Sequence, residues 1–275
     1  MSATVQAPGP VLVGVDGSGR NASAVAWAAA EARASSAPLV LLHDASGAGE
    51  RAGRATVDRA AAQVADVDRE LRPVGEVVTR VASEALTDTA REYGQTLGHG
   101  AESLVVVGRR GAGGFTRLSL GSTARALVHG EGPATVLVPS GWDLTRLDPH
   151  APVVVDVSHD ADDHALEHAV TRCVRDGRPL VALSAWSVDL VEGLIDRPIP
   201  RVWDEHADRA ERELEERLAP WRSAYPDLEV VALATDRHRV AALLDQAVGA
   251  ELLVVPRGRS ACAVAEYAQC PVAVV

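Results

Sequence analysis

The chain predicts an α/β fold of two tandem doubly wound sheets, each with five parallel strands, and three observations point to it. Short unbroken apolar runs alternate with helical stretches, as expected of strands covered on both faces. The order of elements met between residues 10 and 140 is met again from residue 152. A length of 275 residues, 47% of them hydrophobic, is enough for two domains with a core each. Domains are therefore expected over 1–142 and 150–275, joined by a linker over 144–149.

Residues 10–16, Pro-Val-Leu-Val-Gly-Val-Asp, form an apolar run that ends in Gly17-Ser18 turn chemistry, so the first strand leads into a loop. An alanine-rich helix follows over 22–34, then a continuous apolar strand over 38–44 and a small-residue loop through Gly53. Helices are expected over 56–71 and 83–97 with a strand over 75–81 between them, and a fourth strand over 104–107. A helix over 122–128 and a strand over 133–139 close the first half. In the second half, strands are expected over 152–158, 179–184, 228–234, 252–255 and 271–275, with helices near 162–175, 203–218 and 240–248. The helix over 203–218 is densely charged, with Glu211/Glu215 and Arg212/Glu216 at i,i+4 spacing, and reads as a solvated face held partly by ion pairs.

All 27 basic side chains are arginine, which argues against a Walker-type phosphate loop, since that loop needs a lysine. Charge divides unevenly: residues 1–142 carry 13 Arg and 14 acidic residues, and the remainder carries 14 Arg and 24 acidic residues. Only the first half suits a polyanion. The overall charge of −11 argues against nonspecific binding to nucleic acid or anionic membranes, both of which need basic patches. No run approaches a membrane span and the first residues lack a secretory pattern, so a cytoplasmic protein is expected. Cys173, Cys262 and Cys270 have neither paired CxxC nor clustered His spacing, and read as reduced packing residues.

The strand over 104–107 runs into glycines at 108, 111, 113 and 114, and Gly121-Ser122 opens the next helix. Glycines bring backbone N–H groups close to an anion, and a helix N-terminus adds further amides and a favourable dipole, so this segment is a phosphate cradle in outline. Arg109, Arg110, Arg117 and Arg125 are placed to add charge. The second half has Leu-Leu-Val-Val-Pro256-Arg257-Gly-Arg259-Ser260 there, an interval shorter by about ten residues. Pro256 removes an N–H, and Ser260 is expected to keep only a helix-cap role.

Gly108-x2-Gly111-x9-Gly121-Ser122, placed after a Val-Val-Val strand, resembles the nucleotide loop of universal stress proteins at each fixed position. The opening strand ending in Asp16 and the second strand ending in His43-Asp44 are similar to that family too. The resemblance covers 10–140 closely and 152–275 more loosely, and implies Rossmann-like (HUP-type) domains paired as an intrachain pseudo-dimer. Family members dimerise through their last strands, which would set 135–138 beside 272–275, with a homodimer of chains as a further possibility. The resemblance also implies an ATP-type site in the first half alone. Asp16, with Gly14 and Val15, would lie by the ribose or base, and Asp44 would offer main-chain groups to adenine. Val107, Gly108, Arg110 and Gly111 on one side, and Gly121, Ser122 and Thr123 on the other, would wrap the phosphates. Mg²⁺ would accompany the triphosphate near Ser122 or Asp16. His43 reads as a packed or turn histidine and no general base stands by motif beside the phosphates, so a regulatory protein with no or slow hydrolysis is expected. An interaction scaffold using the acidic second half to recruit a signalling protein is the alternative. An adenylating enzyme ranks below both, because Gly14-Val-Asp-Gly-Ser18 supplies no pyrophosphate loop after the first strand.

Overall fold

The computed structural model describes residues 9–47, 49–97, 102–110, 120–158, 163–187 and 199–275. They form two compact units, Met1–Arg146 and Leu147–Val275. In the first unit the strands are β1 (Val11–Gly14), β2 (Leu39–Asp44), β3 (Val74–Val78), β4 (Leu104–Gly108) and β5 (Thr135–Val138). They are ordered β3-β2-β1-β4-β5 and their pairings are parallel. The helices α1 (Ala22–Ser35), α2 (Glu50–Val67), α3 (Ala82–Leu97) and α4 (Ser122–His129) provide the crossovers. The central strands form a continuous core: Leu12, Val13, Val40, Leu41, Val105 and Val106 are fully buried, which is why their sequence shows no polar alternation.

The second unit repeats the plan with β6 (Val153–Asp156), β7 (Leu180–Ala185), β8 (Val230–Thr235), β9 (Leu252–Val255) and β10 (Val272–Val274). Its order, β8-β7-β6-β9-β10, mirrors the first, again with parallel pairs. Its helices are α5 (Asp163–Asp176), α6 (Ile199–Ala224), α7 (Arg239–Gln246) and α8 (Arg259–Tyr267). Among the described residues no helix is long and apolar enough to cross a membrane.

Three departures from the sequence reading have local physical causes. The expected loop through Gly53 is instead the first turn of α2, which starts at Glu50. A Cβ on Gly53 would stand 2.8 Å from Val77 and 2.9 Å from Ala45, so this glycine lets a helix lie close on the sheet and does not mark a turn. Next, α6 extends beyond 203–218 at both ends and contains Pro220. The proline forfeits one helical hydrogen bond on an exposed face, while Ala210, Leu214 and Leu218, spaced i,i+4, bury the opposite stripe. Finally, Glu215 pairs with Arg222, not with a residue one turn away, and Arg217 reaches Asp163 on α5 at 2.8 Å. Arg212 makes no ion pair among the described residues.

The cysteines are free thiols. Burial, reinforced by the Glu251 carboxylate, pushes the Cys173 thiol up to about 12. The reactive thiolate is then about one part in ten thousand at pH 8. Labelling of native protein with a thiol reagent at pH 8 is expected to leave Cys173 unmodified until urea is added; modification of Cys173 at the rate of a free thiol would refute this.

Candidate functional site

The strand order of the first sheet reverses between β1 and β4, and open parallel sheets take ligands beyond the carboxyl ends of strands at such a switch. Glycine closes both strands. At Gly14 a Cβ would lie 3.1 Å from Leu86 and 3.3 Å from Val107, so Gly14 and the buried Val107 form the floor of the site.

Beyond β1 the chain is fixed from both sides. The Val15 N–H donates to the Leu42 carbonyl at 2.8 Å, and the Val15 carbonyl accepts from His43 Nδ1 at 2.7 Å. A carbonyl can only accept, so His43 carries its proton on Nδ1 and acts as a buried positioning residue. Asp16 Oδ1 accepts the Ser18 N–H and hydroxyl, both at 2.8 Å, and so builds an Asx-type turn. The N-cap of α1 is Asn21. Asn21 Nδ2 donates to the Gly14 carbonyl at 2.6 Å, while a Cβ on Gly108 would lie 3.7 Å from Asn21 Cβ. Asn21 therefore joins the ends of β1 and β4. Sequence reasoning passed over it, although an Asn just before an alanine run is a cap signal. Asp44 repeats the Asp16 device at the end of β2, accepting the Ser46 N–H at 2.8 Å and the Ser46 hydroxyl.

The glycine segment has a closed neck. The Arg109 N–H donates to Val138 O, and its carbonyl accepts the Gly121 N–H, each at 2.9 Å. The second bond sets the start of α4 beside the end of β4. Gly121 is the N-cap (φ −65°, ψ 160°), and its carbonyl accepts the Arg125 N–H at 2.9 Å. Because the neck uses the Gly121 amide, the donors a helix start leaves over are the amides of Ser122, Thr123 and Ala124, with two hydroxyls beside them. Arg110 is half-buried at the loop's start. Gly111, Gly113, Gly114 and Arg117 lie outside the described residues.

Register equates the two units residue by residue. Asp156 stands opposite Leu183 as Gly14 stands opposite Leu42, so Asp156 replaces Gly14 and Ser158 replaces Asp16. The Arg257 N–H donates to Val275 O at 2.8 Å, so Pro256 takes the place of Gly108. Helix α8 then starts on its cap Gly258. Ser260 lies within the first turn, so glycine caps this helix in both units and the expected cap role of Ser260 is not seen. At the carboxyl edge of β6, β7 and β8 lies a cavity of about 610 Å³, walled by α6. Its side chains come from separate segments of the chain, and no motif announces it.

Fold and site together define a class: a chain of two successive five-stranded parallel α/β units, the first carrying a glycine-bounded loop at its topological switch point. Residues 9–138 match the model of the universal stress protein family. A universal stress protein of Mycolicibacterium smegmatis is 34% identical over 263 residues, which cover 89% of this chain and 85% of that protein. One from Mycobacterium tuberculosis is 30% identical over 267 residues, with 89% and 85% covered. The crystal structure of a universal stress protein from Archaeoglobus fulgidus shares the fold at a TM-score of 0.66 and 14% identity, covering 97% of this chain and 96% of that one. The chain belongs to the universal stress protein family.

Proposed function

We propose that the first unit binds an adenine nucleotide, ATP or a close relative, and that the protein serves as a nucleotide-responsive regulator in stress. The observation that carries this reading is the Gly121 to Arg109 bond at 2.9 Å, which closes the loop's neck beneath a helix start. Around that neck the full G-x2-G-x9-G-S spacing is kept. The residues present suit such a ligand. The amides of Ser122, Thr123 and Ala124 and two hydroxyls would receive phosphate oxygens at the positive end of α4, with Arg110 adding charge. Asp16 spends its acceptors on Ser18 alone, and a carboxylate has about four lone-pair sites, so capacity remains for a sugar hydroxyl. Asp44 and the chain beside it close the adenine side. Mg²⁺, when bound, would neutralise phosphate charge near Ser122 or Asp16. Turnover is not part of the proposal, because His43 is committed to Val15.

Calorimetric titration of ATP into the parent protein and the Gly121→Val variant tests it. The φ of −65° at position 121 is open to any residue, so the variant adds bulk at the neck without straining the backbone. Measurable binding by the parent and affinity at least about tenfold weaker in the variant are expected. No binding by the parent, or equal binding by both, sinks the assignment.

A further inference from the structure

We infer that the second unit carries a small-molecule site at the amino edge of its sheet, in a cavity of about 740 Å³, and that it takes an organic ammonium ion with an aromatic body. The inference is independent of nucleotide binding in the first unit, which concerns the opposite, carboxyl ends of the strands.

Three connections build the cavity: the segment before β6, the turn from α5 to β7, and the turn from α6 to β8. Its volume lies within the range of small-molecule clefts. Its lining combines an apolar part, with Val174, Pro179, Tyr225 and Leu228, and a charged part. The Tyr225 ring lies nearly parallel to Trp221 (6.5 Å, 10°) and stays 39% exposed, so it offers an oriented aromatic surface. Covering that surface with a flat apolar body supplies affinity, and the negative face of the ring adds attraction for a cation.

Charge selects the sign of the ligand. Asp227 and Glu229 line the cavity, and neither carboxylate makes a hydrogen bond or ion pair among the described residues, so their oxygens remain open to a donor. The one guanidinium in the lining, Arg178, directs Nη1 at the carbonyls of Asp148, Pro149 and Ala151, at 3.2, 3.1 and 3.1 Å, and so ties the segment before β6 to the cavity wall. Two carboxylates against one guanidinium give a net negative lining, and an ammonium group is the complement of its uncommitted acceptors. The first unit is balanced at the corresponding place. Its connection from α2 to β3 carries Asp68 and Glu70 together with Arg69 and Arg72, and Asp68 pairs with Arg33 at 3.7 Å. The connection from α6 to β8 holds Asp227 and Glu229 and no arginine.

Calorimetric titration of the full chain at pH 8, above the ordinary histidine range, with naphthylmethylamine and its neutral counterpart naphthylmethanol tests the inference. The amine is expected to bind, and the alcohol at least about fivefold more weakly. Asp227→Asn/Glu229→Gln, at exposed positions, is expected to bring the amine down to the level of the alcohol with an unchanged melting temperature. Glu211→Gln/Glu216→Gln removes as much charge from exposed positions of α6 outside the cavity. It is expected to leave amine binding unchanged, which separates a site from the general attraction of an acidic protein for cations. Gly121→Val is expected to bind the amine as the parent does. No binding at millimolar amine, equal binding of amine and alcohol, indifference to Asp227→Asn/Glu229→Gln, an equal loss in Glu211→Gln/Glu216→Gln, or loss in Gly121→Val would each overturn the site.

Discussion

Replacing Asp156 by Ala is expected to destabilise the second unit by about 3 kcal/mol at neutral pH. The carboxylate is almost wholly buried and joins three donors: the Ser158 N–H at 3.2 Å, its hydroxyl at 2.6 Å and Arg239 Nε at 2.7 Å. Removing it strands the guanidinium of Arg239 against the sheet and leaves two buried donors of Ser158 without their acceptor. Arg239 keeps 22% of its side chain exposed and can partly rehydrate, which holds the cost to the lower end of the range for a broken buried pair. Position 156 is glycine's place in the first unit, where Leu86 packs against it. The double variant Asp156→Gly/Arg239→Leu removes both charges together and is expected to regain most of the loss. Urea unfolding followed by tryptophan fluorescence reads the change, since Trp186, Trp203 and Trp221 all lie in this unit. A single variant within about 1 kcal/mol of the parent would show that the pair contributes specificity and not stability.

This pair also marks where the sequence stopped being readable. The inner strands could be found because parallel strands buried on both faces leave continuous apolar runs, a signal that depends on no partner, whereas the outer strands β3 and β8 are only half-buried and β3 carries Gly75 and Glu76. Gly108 and Gly121 stood out because a phosphate loop has fixed spacing along the chain, and Asp16 because it ends the first apolar run. Gly53 misled for an opposite reason: its meaning is the close approach of Val77 and Ala45, and contacts across elements leave no local trace. The same holds for the His43 bond to the Val15 carbonyl, 28 positions away, and for the Arg239 bond to Asp156, 83 away. The cavity at the carboxyl edge of β6 to β8 is the extreme case. Its arginines come from α6 and the start of α7, its aromatic wall from the end of β7 and α6, and only the fold assembles them.

Glu251→Ala is expected to cost the second unit about 3 kcal/mol as well, by a mechanism that a thiol can report. Glu251 opens β9 beside β6, its N–H donating to the Pro152 carbonyl at 2.9 Å. Its carboxylate meets Arg172 of α5 in a two-bond fork, Nε to Oε2 at 3.0 Å and Nη2 to Oε1 at 2.5 Å. The two side chains are 4% and 11% exposed, so solvent screens the pair little. Asp176, 3.7 Å from Arg172 Nε, retains part of the guanidinium's compensation and keeps the loss from rising further. Glu251→Gln preserves shape and acceptor while losing the charge, and so should cost less than Ala. The neighbouring Cys173 separates packing from electrostatics, because Glu251 is the second cause, after burial, of its raised pKa. In Glu251→Gln the thiol should become more acidic and label faster at pH 9 with little change in unfolding. In Glu251→Ala labelling should accelerate further, through opening of α5 from the sheet. If both variants unfolded within about 1 kcal/mol of the parent and left Cys173 as inert as before, the fork would be a surface-like pair despite its burial.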